Sequence, residues 1–569
     1  MSSCSSARGP VAPSVPLIAF LERVQEAALS IFGASGFDPK RYVDLSLKSD
    51  LPAAERAFDE LRASATAQDW ETFIRSYFED AGGDLEHYEP PDYTPEPEGF
   101  LPAVKSREMR EWALEVHALW KSLSRKISDG VRTRPDSHTL IPVPNPLVIP
   151  GSRFREAYYW DSYWVIRGLL ASKMYETAKA VVKNLIYLAN RYGYVLNGAR
   201  AYYTNRSQPP LLSAMVREIY DATHDLELVK ISLQALLNEY EFWNSGIKYR
   251  NPCNLGKHKV TIQDAEGRIH TLSRYYAKWD KPRPESSTTD KESASKLSSA
   301  SEKANLYWEL ASAAESGWDF SARWMRDPLD FTTMAATSVL PVDLNAFILG
   351  MEHDIAFFAE VIGDKSTFER FVMASEARKE AITSIFWNEQ KGQWLDYWLN
   401  YSNSCSEPYI WDTLNQNQNV YASNFVPLWI NPFYSDASMV HKVVNSLKHS
   451  GLLQASGIAT SLQNSGQQWD FPNGWAPLQH MIVEGLVKSG STDARQMAED
   501  IAARWIRTNY AAYKQTGKMH EKYNVVNCGE FGGGGEYVPQ TGFGWSNGVV
   551  LAFLEEFGWP QDREIIDRE

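Results

Sequence analysis

Amphipathic segments with the period of an α-helix recur along this sequence from about residue 106 onward. Apolar residues at i, i+3, i+4 and i+7 predict helices over Arg107–Lys126, Ser162–Arg191, Leu211–Trp243, Val342–Ile362, Lys365–Trp387, Asp436–His449, Pro477–Lys488 and Ala494–Lys514. Strand-like alternation is scarce, and its best examples predict a small hairpin around Gly267, formed by Lys259–Ile262 and Arg268–Leu272. Because the helices recur without βαβ alternation, the sequence predicts a mainly α fold, a closed ring of helical hairpins with long loops at one end.

Two segments depart from this helical pattern. The first hundred residues combine short helical stretches with a Pro-rich segment, Glu89–Pro97, and they predict an N-terminal extension (residues 1–100) that wraps a larger body (residues 101–569). Farther along, the run Ser286–Ser301 is rich in serine and low in complexity, which predicts a flexible surface loop or lid.

Charge and composition exclude several classes of protein. The 569 residues carry a net charge of −14 and no run of Lys and Arg, which argues against a nucleic-acid binder. No stretch approaches about 18 consecutive apolar residues, so we expect no membrane span, and the first residues lack the pattern of a signal peptide. The four cysteines (Cys4, Cys253, Cys405 and Cys528) are scattered without metal-ligand spacing, and we expect neither a metal nor another cofactor.

Aromatic residues make up 13% of the chain, with 20 Trp and 28 Tyr. Their flat apolar faces and polar edges suit sugar rings, which present C–H groups on a face and hydroxyl groups at the rim. Aromatic residues also fill large cores, so composition alone leaves both interpretations open.

Two motifs with known chemistry lack the context that the chemistry needs. The pentapeptide Gly-Trp-Ser-Asn-Gly centred on Ser546 fits the pattern of serine hydrolases, but no strand pattern precedes it and no His follows it. We therefore interpret Ser546 or Asn547 as the cap of a helix that begins near Gly548. The run Gly532–Gly535 lacks the Lys-Ser/Thr of a phosphate-binding loop, and a flexible loop that brings Glu536 close to a ligand is the better interpretation.

Carboxylates embedded among aromatic and basic residues are the remaining candidates for chemistry. They fall in three segments, Arg153–Asp161, Glu315–Phe320 and Gln467–Pro477. A glycosidase needs two carboxyl groups on either side of one bond, together with donors and acceptors for the sugar hydroxyl groups. A single Trp-Asp pair is more often structural, but three such segments in loops beside arginines favour a carbohydrate-active site.

Several of these segments resemble the motifs of one enzyme family, the trehalases of glycoside hydrolase family 37, and in particular its plant members. Pro150–Asp161 resembles the family's first signature and Gln468–Pro477 its second. Asn205–Pro210, Arg283–Ser286 and the Gly-rich loop ending in Glu536 also match, in the family's order, over most of the chain from about residue 100.

The resemblance implies an (α/α)6 toroid as the catalytic domain, over residues 101–569, and hydrolysis of α,α-trehalose to two glucose molecules with inversion at the attacked carbon. By the family's motifs, Asp319 is the general acid and Glu521 the general base. The positions that carry over as substrate-binding are Arg153, Phe154, Tyr158, Trp160, Asp161, Asn197, Arg206, Ser207, Gln208, Arg283, Pro284, Glu285, Gly317, Trp469 and Glu536. The implied partner is therefore the small molecule trehalose, and no cofactor is implied.

The residue types suggest how two carboxyl groups can take different roles. The arginines of the motifs (Arg153, Arg206 and Arg283) are predicted to hold a positive field beside Glu521 and to keep it ionised. Burial among aromatic neighbours is predicted to keep Asp319 protonated. An inverting enzyme must also fit a water molecule between base and substrate, so we expect the two carboxyl groups to lie roughly 6.5–9.5 Å apart.

Two other interpretations are open on the sequence alone. One is a helical-toroid glycosidase that acts on a different α-linked glucoside. The other is a catalytically inactive sugar-binding or sensing protein, which the presence of both carboxylates disfavours. Oligomeric state and compartment are open as well: plant members of the family often carry an N-terminal membrane anchor, and we expect none in this sequence.

Overall fold

Helices dominate the computed structural model, which describes residues 15–34, 37–61, 65–245, 258–277, 279–399 and 408–559. The α-helices of this described part are α1 (Pro16–Phe32), α2 (Pro39–Val43), α3 (Leu51–Leu61), α4 (Ala67–Tyr77), α5 (Arg107–Leu123), α6 (Asp129–Thr133), α7 (Asp161–Ala171), α8 (Tyr175–Tyr192), α9 (Leu212–Thr223), α10 (Leu226–Ser245), α11 (Ser287–Ala294), α12 (Ala300–Glu315), α13 (Val342–Ile362), α14 (Lys365–Phe386), α15 (Ala437–His449), α16 (Ala476–Lys488), α17 (Thr492–Thr516) and α18 (Gly544–Phe557).

The β-strands are short and, within the described residues, form six small sheets. They are β1 (Leu85–His87), β2 (Ser124–Ile127), β3 (Leu147–Val148), β4 (Lys259–Gln263), β5 (Ile269–Ser273), β6 (Val339–Leu340), β7 (Trp387–Asn388), β8 (Gln393–Trp394), β9 (Tyr397–Trp398), β10 (Tyr409–Ile410), β11 (Leu453–Gln454), β12 (Gly457–Ile458), β13 (Asn473–Gly474) and β14 (Tyr523–Asn524). The predicted hairpin around Gly267 is confirmed as β4 and β5, an antiparallel pair in which Val260 lies opposite Leu272.

In the described residues, twelve helical elements alternate in chain order between an outer and an inner position. The inner ring consists of α7, α9, α13, the 3-10 segment Ala422–Trp429, α16 and α18, and each packs against the next until α18 returns to α7. The outer elements are α5, α8, α10, α14, α15 and α17. Every residue of Ala422–Trp429 is buried, as expected for an element surrounded by others. This arrangement confirms the predicted (α/α)6 toroid.

Glycines let the first and last inner helices touch at the backbone. A Cβ atom at Gly548 of α18 would lie 1.9 Å from the carbonyl oxygen of Trp164 on α7. A Cβ atom at Gly168 of α7 would lie 2.5 Å from the ring of Trp120 on α5. A larger residue at either position would push the helices apart, so the two glycines set the spacing at which the ring closes.

Most of the predicted helices are confirmed, but two of them are each a helical hairpin. The segment Ser162–Arg191 contains α7 and α8, and the segment Leu211–Trp243 contains α9 and α10. The breaks fall at Lys173 and His224, which have φ angles of 60° and 53°. This left-handed conformation ends a helix and reverses the chain. Periodicity did not detect the turns because both helices of each hairpin bury an apolar face in the same core.

The Ser-rich run that was predicted as a flexible loop or lid is helical instead. Its first part forms α11, in which Asp290 accepts hydrogen bonds from the backbone and the side chain of Arg283. Its end begins α12, where Ser299 and Glu302 form a capping box. Serine supplies helix N-termini here, so low complexity was a poor guide to the structure of this run.

The helix after the Gly-rich loop also differs from its prediction. α18 begins at Gly544, so Ser546 lies buried within the helix and does not cap it. The Ser546 hydroxyl donates a hydrogen bond to the backbone carbonyl of His520 (2.6 Å). His520 directly precedes Glu521, so Ser546 attaches the last inner helix to the loop that carries Glu521.

The N-terminal segment, which we define as residues 15–77 with helices α1 to α4, has a small apolar core separate from that of the ring. Phe20 and Trp70 are buried members of this core. Tyr158 and Tyr203, which come from loops of the body, belong to the same cluster. The N-terminal segment is therefore packed against the loops at one end of the ring.

No helix in the described ranges combines the length and the apolar character that crossing a membrane requires. The same residues contain no group of three or more His, Cys, Asp or Glu side chains placed to hold a metal ion. Cys528 is exposed, whereas Cys4, Cys253 and Cys405 lie outside the described residues.

Candidate active site

The loops at one end of the ring line a cavity of about 640 Å³, a volume that includes the solvent at its open side. All the predicted site residues except Ser207 and Pro284 line this cavity: Arg153, Phe154, Tyr158, Trp160, Asp161, Asn197, Arg206, Gln208, Arg283, Glu285, Gly317, Asp319, Trp469, Glu521 and Glu536. The fold thus gathers residues from six separate chain segments around one space.

Ser207 and Pro284 lie behind the cavity wall. The backbone amide of Ser207 donates to Glu315 (3.0 Å), and its hydroxyl donates to the carbonyl of Val195 (2.6 Å). The carbonyl of Pro284 accepts a hydrogen bond from the Gln25 side chain of α1 (3.0 Å). Both residues hold the wall in place and do not face the cavity.

Asp319 follows the C-terminal end of α12 in a tight turn that requires glycine. Gly317 has a φ angle of 73°, and a Cβ atom there would lie 2.7 Å from the indole ring of Trp160. The turn directs Trp318 into the core and Asp319 to the cavity. Glycine is needed at residue 317 both for its backbone conformation and for this close approach.

A stack of three indole rings supports the segment around Asp319. Trp318 stacks on Trp469, with ring centroids 5.3 Å apart and an interplanar angle of 19°. Trp469 stacks in turn on Trp475, at 4.0 Å and 2°. Since all three rings are buried, their contacts limit the positions that the Asp319 backbone can adopt.

Buried ion pairs support the same segment from the other side. The guanidinium of Arg323 pairs with Asp343 (2.7 Å) and with Asp396 (2.7 Å), and all three side chains are buried. Asp470 of the second signature accepts a hydrogen bond from the backbone amide of Ala322 (2.7 Å). The Trp-Asp pair of that signature therefore contributes its aspartate to the structure of the loop and not to the cavity surface.

Burial gives Asp319 the properties of a proton donor. Desolvation raises its pKa to about 7, against the lowering effects of Arg283 and Arg206, and the nearby carboxylate of Glu536 adds to the rise. Below that pH the carboxyl group holds a proton that it can donate. The predicted protonation of Asp319 through burial agrees with this environment.

Two of the three arginines expected beside the base lie on the Asp319 side of the cavity. Arg206 forms an ion pair with Glu285 (2.5 Å), and Arg283 forms one with Glu536 (2.9 Å). Burial alone would raise the pKa of Glu285, but Arg206 and Arg283 outweigh that effect and lower it. Arg283 also pairs with Asp290 (2.7 Å), so both arginines are largely neutralised by their own partners, and both lower the pKa of Asp319.

Glu521 lies in the loop between α17 and α18 and is held by donors from the end of that loop. The Tyr537 hydroxyl donates to one carboxylate oxygen (2.7 Å), and the backbone amide of Gln540 approaches the other (3.4 Å). The Lys522 ammonium lies 3.9 Å from the second oxygen. The Trp545 indole donates to the Glu521 backbone carbonyl (2.9 Å), which fixes the main chain as well.

Arg153, the third of those arginines, approaches Glu521 only through an aromatic ring. Its guanidinium forms an ion pair with Asp38 of the N-terminal segment (2.9 Å) and lies 4.4 Å from the centroid of the Tyr537 ring. The three arginines predicted to hold a positive field beside the base are each paired with a carboxylate of their own. The donors that bind the Glu521 carboxylate are those of the loop that ends at α18.

A third carboxyl group, Asp161, begins α7 at the floor of the cavity. It is 5% exposed, and burial raises its pKa to about 8, with further contributions from Glu521 and then Asp319. A protonated Asp161 can donate a hydrogen bond to a neutral ligand as well as accept one.

The Gln468 side chain links the two sides of the cavity. Its amide nitrogen donates to the backbone carbonyl of Asp319 (2.5 Å), and its amide oxygen accepts from the Lys522 ammonium (2.7 Å). Because Lys522 follows Glu521 directly, one side chain couples the backbone positions of the two carboxyl-bearing segments.

Two carboxyl groups in different environments therefore face one cavity that is walled by aromatic rings and polar side chains. The family model named Trehalase matches residues 35–558, which include every residue of this cavity. The chain belongs to the trehalase family.

Relatives in the trehalase family match this chain along nearly its full length. A protein named probable trehalase from Oryza sativa subsp. japonica is 57% identical over 572 residues, which cover 99% of this chain and 100% of the relative. A trehalase from Arabidopsis thaliana is 58% identical over 565 residues, which cover 98% of this chain and 88% of the relative.

A solved structure in the trehalase family has the same architecture. The neutral trehalase Nth1 from Saccharomyces cerevisiae superposes with a TM-score of 0.55 and 26% sequence identity, over 72% of this chain and 73% of the yeast chain. The mainly helical toroid is thus common to this chain and the yeast protein.

Sequence reasoning missed part of the wall of this trehalase-family cavity. The additional lining residues are Tyr203, Ser286, Ala314, Gln468, Trp475, Tyr537, Phe543 and Trp545. Gln468 and Trp475 stand inside the second signature and Tyr537 follows Glu536, so adjacency to motif residues was a usable signal for these three. Phe543 and Trp545 flank the start of α18, and their sequence context suggested only a rejected serine-hydrolase motif.

Proposed function

We propose that this chain hydrolyses α,α-trehalose to two glucose molecules by an inverting mechanism, with Asp319 as general acid and Glu521 as general base. The observation that carries the proposal is the pair of carboxyl groups that face one cavity from different chain segments. Burial raises the pKa of Asp319 to about 7, and Glu521 accepts a hydrogen bond from the Tyr537 hydroxyl. The names of the relatives, trehalases, support the choice of substrate.

In the proposed reaction, two proton transfers accompany one displacement. Glu521 takes a proton from a water molecule, and the water oxygen attacks the anomeric carbon of one glucose ring from the face opposite the glycosidic oxygen. The bond to that oxygen breaks as Asp319 donates its proton to it. The attacked ring leaves as β-glucose, and the other ring leaves as α-glucose because its own anomeric bond is untouched.

The polar pairs of the wall suit a neutral ligand with many hydroxyl groups. Arg206 with Glu285, and Arg283 with Glu536, place donors and acceptors side by side at the cavity surface. A sugar that carries adjacent hydroxyl groups can bond to both members of such a pair without changing the net charge of the site. The Trp160 ring lines the same space and adds apolar surface to the wall.

The anomeric form of the first products tests the mechanism. Proton NMR during the first minutes of trehalose hydrolysis should show α-glucose and β-glucose in equal amounts, before mutarotation mixes them. If only α-glucose appears at early times, the enzyme retains configuration, and the roles of both Asp319 and Glu521 are overturned.

A disaccharide panel tests the substrate. Trehalose places one glucose on each side of the cleaved bond, and polar side chains line the cavity, so we expect maltose and longer α-glucans to be poor substrates. Comparable rates on maltose and trehalose would instead indicate a broader α-glucosidase. No turnover of any of these sugars, with tight binding of trehalose, would indicate a sugar-binding protein without catalysis.

We also propose that residues 1–100 form an N-terminal extension and residues 101–569 the catalytic domain. The small apolar core of α1 to α4 supports a unit of its own in the first part of the chain. The β1–β2–β3 sheet joins residues on both sides of the boundary, since Leu85 pairs with Ile127. Limited proteolysis followed by mass spectrometry should find the first cuts before residue 101.

A further inference from the structure

The N-terminal segment reaches the cavity through one aspartate. Asp38, the N-cap of α2, accepts hydrogen bonds from two nitrogens of the Arg153 guanidinium: Nε donates to Oδ2 (3.0 Å) and Nη2 donates to Oδ1 (2.9 Å). Such a two-point contact fixes the plane and the direction of the guanidinium group. The Arg153 side chain is only 10% exposed, so Asp38 supplies the counter-charge that this cation needs.

The oriented guanidinium in turn supports Tyr537. The Arg153 guanidinium carbon lies 4.4 Å from the centroid of the Tyr537 ring, a distance at which a cation and an aromatic face attract each other. The edge of the Phe154 ring packs against Tyr537 as well, with centroids 5.5 Å apart and an interplanar angle of 81°. The Tyr537 ring is thus held by residues of the first signature and, through Arg153, by Asp38.

Tyr537 then fixes Glu521 by the hydrogen bond from its hydroxyl (2.7 Å). A series of contacts therefore runs from Asp38 to Arg153, to Tyr537 and to Glu521, across chain segments that are far apart in sequence. The last contact determines where the carboxylate oxygen points, and a general base must lie within hydrogen-bond reach of the water whose proton it takes.

The rest of the N-terminal segment is anchored firmly enough to act as a support. The Gln25 side chain is fully buried and donates to the carbonyls of Pro39 and Pro284, the second of which lies behind the cavity wall (both 3.0 Å). The Lys40 ammonium is buried between Asp44 (2.7 Å) and Glu156 of the first signature (2.8 Å). These contacts hold α1 and α2, and with them Asp38, at a constant distance from the wall.

We propose that Asp38 is a positioning residue of the active site, which aligns the base Glu521 through Arg153 and Tyr537. The proposal deepens the proposed function, because it rests on Glu521 being the general base. Without the Asp38 carboxylate, Arg153 is a nearly buried cation that has lost its partner, and its guanidinium is no longer fixed against the Tyr537 ring. The Tyr537 ring then loses the support that aligns its hydrogen bond to Glu521.

The variant Asp38→Asn tests this with little disturbance of the fold. Asn is as good an N-cap as Asp, so the hydrogen bond to the Lys40 amide that begins α2 is retained while the charge is lost. We expect kcat for trehalose to fall about 10- to 100-fold, the effect of misplacing a reacting group by about 1 Å, with KM changed less than about threefold. Asp38→Glu keeps the charge and should recover part of the lost kcat.

The matched control is Asp59→Asn. Asp59 lies on α3 of the same segment and pairs with Arg23 at the surface (2.5 Å), where both side chains are about half exposed. This variant makes the same chemical change to an Asp–Arg pair away from the cavity, and its kcat and KM should equal those of the wild type.

A double-mutant cycle with Tyr537→Phe tests the route of the effect. If Asp38 acts through Tyr537, then Asp38→Asn should slow the Tyr537→Phe enzyme by less than about twofold, although it slows the wild type more than tenfold. Independent, multiplying effects would overturn the proposal. A raised KM with unchanged kcat would also overturn it, because Asp38 would then act in binding alone. The proposal fails as well if the unfolded fraction, measured by circular dichroism, accounts for the whole loss of activity.

The wild-type assay separates this proposal from the proposed function. If the wild type releases no glucose from trehalose, the proposed function fails. If the wild type is active and Asp38→Asn has the same kcat, only the role of Asp38 is wrong.

Discussion

Asp319 reaches the cavity from a short turn after a helix, whereas Glu521 reaches it from a long loop. The Asp319 side is built from buried rings and ion pairs, namely the stack that starts at Trp318 and the pairs of Arg323. The Glu521 side is built from hydrogen bonds that the end of its own loop donates, chiefly that of Tyr537. Asp319 is therefore positioned by the packing of its chain segment, and Glu521 by hydrogen bonds to its side chain and its backbone.

This difference bears on how two residues with nearly the same chemistry can take the two roles that we propose. Desolvation disfavours the charged form of a carboxyl, and it raises the pKa of Asp319 to about 7. The Tyr537 hydroxyl and the Gln540 amide fix where the Glu521 oxygens point. The following predictions test whether the two sides of the cavity are as distinct as the structure indicates.

The largest expected effect comes from removing each carboxyl in turn. Asp319→Asn and Glu521→Gln should each lower kcat for trehalose by roughly 10²- to 10⁴-fold, because one proton transfer is lost in each variant. α-Glucosyl fluoride separates them, because fluoride leaves without being protonated. Hydrolysis of the fluoride should be nearly normal in Asp319→Asn and should stay slow in Glu521→Gln. Equal rescue of both variants, or of neither, would contradict the assigned roles.

The second prediction concerns the turn that carries Asp319. In Gly317→Ala, the new methyl group would meet the Trp160 ring at 2.7 Å and the backbone would be strained at a φ angle of 73°. We expect kcat for trehalose to fall about 10²-fold, the effect of displacing Asp319 by about 1 Å, with a lower melting temperature. Gly363→Ala is the control, because Gly363 has a φ angle of 81° at the end of α13 and open space around it. It should share the loss of stability and keep full activity.

The third prediction concerns pH. Since the pKa of Asp319 is raised to about 7, the proton that it must donate is lost as the pH rises through that value. The kcat/KM for trehalose should therefore fall about tenfold for each pH unit well above 7. The same measurement with α-glucosyl fluoride should show no such decline. If kcat/KM for the fluoride declines in the same way, the group that titrates is not Asp319. The candidate is then Asp161, another group of the cavity, whose pKa burial raises to about 8.

The smallest effect is expected at Asp161, and it is an effect on stability. Its pKa in the folded protein, about 8, lies above the ordinary value of 3.8, so the folded state binds more protons than the unfolded state between these values. The free energy of unfolding must then decrease as the pH rises from about 4 to about 8. Asp161→Asn cannot ionise, so its stability relative to the wild type should be greater at pH 8 than at pH 5. Denaturant unfolding of both proteins at pH 5 and pH 8 measures this difference in stability. If Asp161→Asn differs from the wild type by the same free energy of unfolding at both pH values, the raised pKa of Asp161 is contradicted.

The regular part of the fold could be predicted because its pattern is local. The helix Val342–Ile362 was predicted to the residue, since its ends coincide with Pro341 and with the left-handed Gly363. The turns at Lys173 and His224 could not be predicted in this way, because neither residue is a typical turn former and the apolar pattern continues across both. The helical state of the Ser-rich run was hidden for a related reason, since its capping and its contacts depend on Arg283 and the core.

The candidate site was predictable where a resemblance could be read residue by residue, as for Asp319 and Glu521. It was not predictable where a side chain takes its role from a distant partner. Arg153 was expected to act on the base by its charge, but that charge is held by Asp38, 115 residues earlier in the chain. No sequence period or motif connects two such positions, because only the folded chain brings them together.

The backbone contact between α7 and α18 also has a consequence for synthesis of the chain. The hydroxyl of Ser152, shortly before α7, donates a hydrogen bond to the side chain of Gln540, shortly before α18. These two residues are 388 positions apart in the chain. At about 5–20 residues per second, a ribosome needs about 20 to 80 s to add that length. Throughout this time α7 lacks its neighbour α18, which can pack closely against it because residue 548 is a glycine. A nascent chain that stops before α18 would have all its earlier helices and an open ring, so the last short stretch of translation decides whether a closed toroid is formed.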